Sequence, residues 1–202
     1  VAKILREDGL EILLDAEAPR VERLEGGRFA LWVDTTDGAV RVEGTHLLLA
    51  TGRQFNTDRL ELHAAGVKTG AGGFIEVNDR LETSTPNIYA LGDVKGGPAF
   101  THISYDDFRI LRTNLLGEGG ASTHGRLLPY TVYIDPELGR VGLGEEEARA
   151  AGLDIRVAKL PMSSVARALE TDESRGFMKA IVDVNSERIL GAAVLGLEGG
   201  EV

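Results

Sequence analysis

The sequence of 202 residues contains no cysteine at all. The chain therefore cannot itself supply a disulfide, a thiolate nucleophile, an iron–sulfur ligand set or a cysteine-ligated zinc site. Basic charge is also scarce, since 22 Lys and Arg stand against 32 Asp and Glu and form no run. A net charge of −10 without a basic cluster argues against nucleic acid or an anionic membrane surface as a partner.

Long apolar runs are missing as well. No stretch approaches the roughly 20 apolar residues that span a bilayer, and no signal-peptide pattern is present. We therefore expect a cytoplasmic protein. The four histidines, at positions 46, 63, 102 and 124, are far apart and show no ligand spacing, so the sequence predicts no metal site.

Glycine is abundant instead, with 26 residues distributed among short β-prone runs. The chain divides into three blocks. In the first, residues 1–44, the runs EILLDA, RFALWVDTT and AVRVEG predict an antiparallel meander with one solvent-exposed face. The dipeptide Asp37-Gly38 separates the last two runs and predicts a hairpin at that point.

The second block, residues 45–116, has apolar runs of a different kind. HLLLATG is unbroken and predicts a strand covered on both faces, and FIEV and IYAL predict two further strands. Residues 102–116 have helical periodicity, and Gly117 is a suitable stop. The predicted apolar face of this helix consists of Tyr105, Phe108, Leu111 and Leu115.

The rest of the chain changes character again. Residues 117–126, GEGGASTHGR, are small and polar and are typical of a linker. The third block, residues 127–202, contains the strand candidates YTVYI, IRVAKL, FMKAIVDV and ILGAAVLGL and one short helix, EEEARAAG. A helix among antiparallel strands predicts an α+β module. Because the sequence stops directly after a strand, we expect this module to be truncated at its C-terminus.

Asp93 is the one carboxylate in the stretch IYALGDVKGGPAFTH, between a predicted strand and a glycine-rich turn. A strand that ends just before Asp93 would place it at the C-terminal edge of a sheet, where open α/β sheets bind their ligands. The helix that starts near Thr101 would present free N–H groups there. The glycines at 92, 96 and 97 would let a bound group approach the backbone. Two interpretations stay open: Asp93 accepts hydrogen bonds from a ligand that carries hydroxyls, or it merely caps a turn.

Longer strings carry a family resemblance. HLLLATGRQFNTDRLELHAAGV, followed by GFIEVNDRLETSTPNIYALGDV, resembles the second flavin region of the pyridine nucleotide–disulfide oxidoreductases, which include mercuric reductase, dihydrolipoamide dehydrogenase and glutathione reductase. The stretch from PYTVYIDPELGRVGLG to the end is similar to their C-terminal dimerisation domain. FTHISYDDFRILRTNLLGEG most resembles the mercuric-reductase-like branch linked to reactive-chlorine resistance and copper reduction.

This resemblance implies a fold for each block. Residues 1–44 would end an NAD(P)-binding domain, and residues 45–116 would be the returning part of an FAD-binding domain. Residues 127–202 would form the dimerisation domain and mediate a homodimer. The expected architecture is therefore an α/β fragment followed by an α+β domain with an antiparallel sheet.

The resemblance also implies a cofactor site. Asp93 would hydrogen-bond the ribityl hydroxyls of FAD, Gly92 would allow the close approach, and the Thr101 N–H would be aimed at the pyrimidine side of the flavin. Two further residues, Thr51 and Gly52, would lie where the chain re-enters the flavin domain. Arg53 would lie near NAD(P)H.

Several working parts of the family are not in this sequence. It contains neither G-x-G-x-x-G loop, no redox-active cysteine pair and no C-terminal His-Pro segment. We therefore expect part of an enzyme that passes hydride from NAD(P)H to FAD and electrons onward to a dithiol, a metal ion or another small oxidant. The chain alone would hold no catalytic residue and no cofactor, and would be inactive. The alternative is a non-catalytic self-association module that retains the dimerisation fold.

Overall fold

A computed structural model describes all residues from 1 to 202 and divides the chain into two units, Val1–Gly52 and Arg53–Val202. None of its helices has the length and apolar character that crossing a bilayer requires. Besides the regular helices and strands given below, short 3₁₀ helices lie at Glu25–Gly27, Leu62–Ala65, Gly92–Lys95 and Met162–Ser164.

The first unit confirms the predicted antiparallel meander but not its one covered face, since the two outer strands are exposed along almost their whole length. Helix α1 (Ala2–Glu7) precedes an antiparallel sheet of β1 (Glu17–Arg23), β2 (Phe29–Thr35) and β3 (Gly38–Gly44), in that order. The hairpin lies at the predicted Asp37-Gly38 dipeptide. The run EILLDA is not a strand, however, because β1 begins directly after it, and α1 was not predicted.

The predicted buried strand HLLLATG is wrong for this structure. Residues 45–50 form no strand, and Leu48 and Leu49 are 87% and 75% exposed. A strand covered on both faces needs neighbouring strands to accept its backbone hydrogen bonds, and no strand of this chain pairs with these residues. The apolar run is present, but the partners that would make it a strand are not.

The second unit begins with loops rather than strands. FIEV and IYAL are each reduced to isolated bridges, which pair Thr69 with Ile75, Val77 with Thr83, and Glu82 with Tyr89. Two small apolar clusters hold these loops together, one of them formed by Val67, Ile75 and Ala90. Both strand predictions are therefore wrong as regular strands, although the pairing of neighbouring segments survives.

Helix α2 (Thr101–Leu116) confirms the predicted helix but not its buried face. Tyr105 and Phe108 are 63% and 45% exposed, and Leu115 is exposed too. Of the predicted face only Leu111 is buried, and the other buried residues of the helix are Ile103, Asp107 and Ile110. Ile110 and Leu111 pack on Leu81, so the helix is rotated from the prediction because its contacts lie in the loops before it.

The segment predicted as a linker, residues 117–126, is tied to its neighbours. The side-chain amide of Asn114 both donates to and accepts from the backbone of Ala121, at 2.8 and 3.0 Å. The Thr123 N–H donates to the Asp79 carbonyl at 2.8 Å. The segment therefore follows the surface of α2 and its adjoining loop rather than hanging free.

The third block has the predicted α+β architecture. Its strands are β4 (Tyr130–Val132), β5 (Leu138–Gly142), β6 (Ile155–Pro161), β7 (Phe177–Asp183) and β8 (Ile189–Leu195), and its helices are α3 (Glu145–Ala150) and α4 (Ala166–Glu170). All neighbours pair antiparallel in the order β4-β5-β8-β7-β6. The sequence did not predict β5 or α4. Gly139 in β5 lies so close to the Gly199 carbonyl that a Cβ would stand 2.0 Å from its oxygen.

Candidate functional site

The Gly92–Lys95 3₁₀ turn, here called the GDVK turn, follows extended residue Leu91 and ends at Gly96. Gly92 has φ +71°, and a Cβ there would lie 2.7 Å from the Ser104 hydroxyl oxygen. The close approach that this glycine permits is therefore to helix α2. Whether Gly92 also borders a ligand stays a prediction.

Asp93 is the residue that the turn displays. Its side chain is 44% exposed, and its one partner is Arg53, whose Nη2 lies 3.4 Å from Oδ2. The Gly92 N–H donates to Asp107 rather than to the Asp93 carboxylate, and the Gly96 N–H donates to the Asp93 carbonyl. Of the two interpretations open at the level of sequence, the turn cap is not formed, and the carboxylate retains most of its hydrogen-bonding capacity.

The N-terminus of helix α2 provides backbone N–H groups that could donate hydrogen bonds to a ligand. Thr101 is its first residue, and the preceding Phe100 caps it with no side-chain hydrogen bond. The first helical hydrogen bond runs from the Ser104 N–H to the Phe100 carbonyl at 3.0 Å. The N–H groups of residues 101–103 thus have no intrahelical acceptor, and the helix dipole places partial positive charge there.

Phe100 also makes a contact beyond the helix. Its ring stacks on His102, with centroids 5.3 Å apart, and on Tyr130 at the start of β4, with centroids 5.6 Å apart and planes 12° apart. The cap of α2 is thereby packed against the first strand of the third block.

Asp107 is the polar residue that sequence reasoning missed. It is completely buried, and its Oδ2 accepts the Gly92 N–H at 2.9 Å. The same oxygen lies 3.3 Å from Lys95 Nζ, and Oδ1 lies 2.6 Å from Arg126 Nη1. One signal could have revealed it: Asp107 stands four residues after Ile103 and three before Ile110, on an apolar row of the helix.

The remaining predicted site residues are distributed over both units. Arg53 opens the second unit and joins the site through Asp93. Thr51 and Gly52 close the first unit, are exposed, and have no regular secondary structure; Gly52 has φ +112°. The structure thus brings together Arg53, Gly92 and Asp93, and links their turn to α2. The cofactor roles of all these residues stay predictions.

The acidic helix α3 is structural. Glu145 pairs with Lys179 and with Arg149, and these contacts hold the pKa of its carboxyl below the ordinary value, with Lys179 the larger cause. Glu147 accepts the Gly144 N–H, and this bond and the nearby Arg140 lower the pKa of Glu147. No group of three or more His, Asp or Glu side chains is arranged to hold a metal ion.

Comparison with known proteins identifies the fold. Residues 1–107 match the family model of the pyridine nucleotide-disulphide oxidoreductases, and residues 128–202 match the model of their dimerisation domain. A probable pyridine nucleotide-disulfide oxidoreductase of Escherichia coli, RclA, is 42% identical over all of this chain and 45% of its own length. A mercuric reductase of Staphylococcus aureus is 33% identical, over 98% of this chain and 36% of its own length.

Solved structures agree with these matches. The Cu(II) complex of the HOCl-induced flavoprotein disulfide reductase RclA from E. coli superposes with a TM-score of 0.87, over 99% of this chain and 45% of that one. LpdA from Mycobacterium tuberculosis, 29% identical, gives 0.85, over 98% of this chain and 42% of that one. The chain thus spans less than half the length of these relatives. It belongs to the pyridine nucleotide-disulphide oxidoreductases, and its third block is their dimerisation domain.

Proposed function

We propose that this chain is part of an FAD-dependent oxidoreductase that takes hydride from NAD(P)H, and that Asp93 and the N-terminus of α2 bind the flavin. One observation carries the proposal. The Asp93 carboxylate is half-exposed and does not cap its own turn. That turn is joined to helix α2, whose first N–H groups have no intrahelical acceptor. Membership of a family that includes flavoproteins supports it.

The chemistry of these groups fits FAD. An ionised carboxylate only accepts hydrogen bonds, so Asp93 suits the hydroxyls of the ribityl arm. The N–H of Thr101 suits an oxygen of the pyrimidine ring, and the dipole of α2 favours negative charge at that end. Bound FAD would supply the capacity to accept hydride and to pass electrons on.

Arg53 has a second role in this proposal. Its side chain is 75% exposed, and its ion pair with Asp93 is long, at 3.4 Å. Exposed ion pairs of this kind are weak, so the guanidinium can reorient toward a phosphate of NAD(P)H. Thr51 and Gly52, which precede it, would form the point where the chain returns to the flavin domain.

The electron acceptor in this proposal is a dithiol, a metal ion or another small oxidant. RclA is described as a disulfide reductase and was solved with Cu(II), and other relatives are mercuric reductases. Because this chain has no cysteine, a redox-active dithiol would lie outside it. The few flavin contacts proposed here must offset roughly 4–15 kcal/mol of lost ligand freedom, so the 202 residues alone would hold no FAD.

We also infer a cytoplasmic two-fold homodimer formed through residues 127–202. The match of this block to a dimerisation domain supports the dimer. A non-catalytic self-association module is the weaker alternative, because the uncapped Asp93 would then have no ligand to bind.

The test of the flavin site is FAD affinity of the Asp93→Ala variant in the native protein that contains this chain. Each hydrogen bond to a charged acceptor contributes about 1.5–3 kcal/mol, so affinity should fall at least about tenfold. Asp154→Ala is the control, since it removes an exposed carboxylate that lies in the third block. Unchanged FAD affinity in a titration of the Asp93→Ala apoprotein would contradict the assignment.

A further inference from the structure

We propose that Asp107 is a positioning residue for the flavin site: it fixes the GDVK turn, and with it the Asp93 carboxylate, against helix α2. The inference rests on the proposed function, since Asp93 is there the flavin contact. It concerns a residue that would itself touch no cofactor.

Asp107 contacts both ends of the GDVK turn. Its Oδ2 accepts the N–H of Gly92, the first residue of the turn, and lies 3.3 Å from the ammonium of Lys95, the last. Asp93 lies between these two anchor points. The other oxygen, Oδ1, is occupied by Arg126 at 2.6 Å, so the carboxylate cannot turn away without losing all three partners.

The charges around Asp107 are balanced and largely withdrawn from water. The side chain of Asp107 is 0% exposed, that of Lys95 7% and that of Arg126 20%. Asp106 also lies 3.3 Å from Arg126, but its side chain is 41% exposed, so it adds only a weak ion pair at the edge of the cluster. A buried charge is tolerated only when it is paired, so displacing the turn would leave Lys95 without its ion pair in the interior and Asp107 with Arg126 as its one charged partner. The cluster therefore holds the turn in one position.

This rigidity has a use at the flavin site. A hydrogen bond from a ribityl hydroxyl to Asp93 requires oxygen–oxygen distances near 2.7–2.8 Å and is lost about 1 Å beyond that. A site held in the productive geometry before the ligand arrives binds more tightly than one that must be ordered by it. Asp107 would supply this order for the GDVK turn.

The experiment compares FAD affinity and the flavin absorption band of three variants in the native protein that contains this chain. Lys95→Met removes one anchor of the turn and leaves Asp107 paired with Arg126 and Gly92. Asp107→Asn keeps an oxygen for the Gly92 N–H but removes the charge that both cations need. We expect each to weaken FAD binding about tenfold or more and to shift the flavin band.

Asp106→Asn is the matched control. Asp106 is the adjacent carboxylate and shares Arg126, but its side chain is 41% exposed and does not contact the turn. We expect its FAD affinity to stay within about twofold of the wild type, because exposed ion pairs contribute little.

The outcomes separate the two proposals. If Asp107→Asn does not fold, Lys95→Met decides, because Asp107 keeps a charged partner in it. A lower unfolding temperature with unchanged FAD affinity and band position in Lys95→Met would show that the cluster serves only stability, and would overturn the positioning role. If Asp93→Ala loses FAD while Lys95→Met and Asp107→Asn retain it, the positioning role of Asp107 is overturned and the flavin site stands. If Asp93→Ala retains FAD fully, the flavin site itself is overturned.

Discussion

Two glycines of the dimerisation domain allow a controlled test of its packing. Gly142 and Gly152 both have φ +71°, so an alanine at either position meets the same backbone strain. Around Gly152 no atom beyond the adjoining residues lies within 4 Å of the methyl carbon that alanine would add, whereas at Gly142 that carbon would stand 2.3 Å from the Leu190 carbonyl oxygen. The pair therefore separates conformational strain from steric overlap.

The expected costs differ accordingly. Left-handed backbone costs a non-glycine residue about 1–2 kcal/mol, and this is all that Gly152→Ala should lose. Gly142→Ala must also push β5 from β8 by about 1 Å, and overpacking of this kind costs about 1–3 kcal/mol more. The Leu143 N–H bond to the same Leu190 oxygen, 3.0 Å long, would be weakened as well.

Urea unfolding of both variants, followed by circular dichroism, measures this difference. The transition midpoint of Gly142→Ala should fall below that of Gly152→Ala by an amount equivalent to about 1–3 kcal/mol. Equal midpoints would refute the reasoning, since they would mean that β5 and β8 separate without cost. The slope of the transition should stay unchanged in both variants, because neither substitution alters the surface that unfolding exposes.

Two further predictions concern charge and assembly. Because the folded-state pKa of Glu145 lies below its ordinary value of 4.5, its contribution to stability is complete above that pH and is lost as the pH falls through the lower value. Lys179→Met should raise this pKa, and NMR titration of the carboxyl group would report no change if Lys179 were not its cause. The native protein should also be a dimer at every practical concentration, because obligate dimer interfaces are large and apolar. Light scattering that finds a stable monomer would contradict the dimer.

Local signals in the sequence predicted the elements whose partners lie nearby in the chain. The hairpin at Asp37-Gly38 and strands β7 and β8 are such cases, since each of these strands pairs with the one that directly precedes or follows it in the chain. The strand predictions for HLLLATG, FIEV and IYAL were wrong because a strand forms only beside a neighbouring strand. A local apolar pattern does not indicate whether such a neighbour is present.

The candidate site shows the same division. Asp93 and Thr101 were found from a carboxylate before a glycine-rich turn and from the start of a helix, which are both local features. Asp107 was missed because helical periodicity marks two alternative faces, and only the packing of α2 on Leu81 and the GDVK turn decides between them. Ser104, whose side chain lies against Gly92, is twelve residues away, and no local pattern in the sequence predicts that contact.

The stack of Phe100 on Tyr130 joins the helix proposed to bind the flavin to the domain proposed to form the dimer. Phe100 caps the helix that is proposed to hold the flavin, and Tyr130 begins the sheet of the dimerisation domain. If dimer formation orders β4, the N-terminus of α2 becomes more ordered with it. Flavin binding would then cost less conformational entropy, because the helix end is already ordered. Linkage then requires reciprocity: by whatever factor the dimer binds flavin more tightly than the monomer does, the flavin-loaded protein dimerises more tightly.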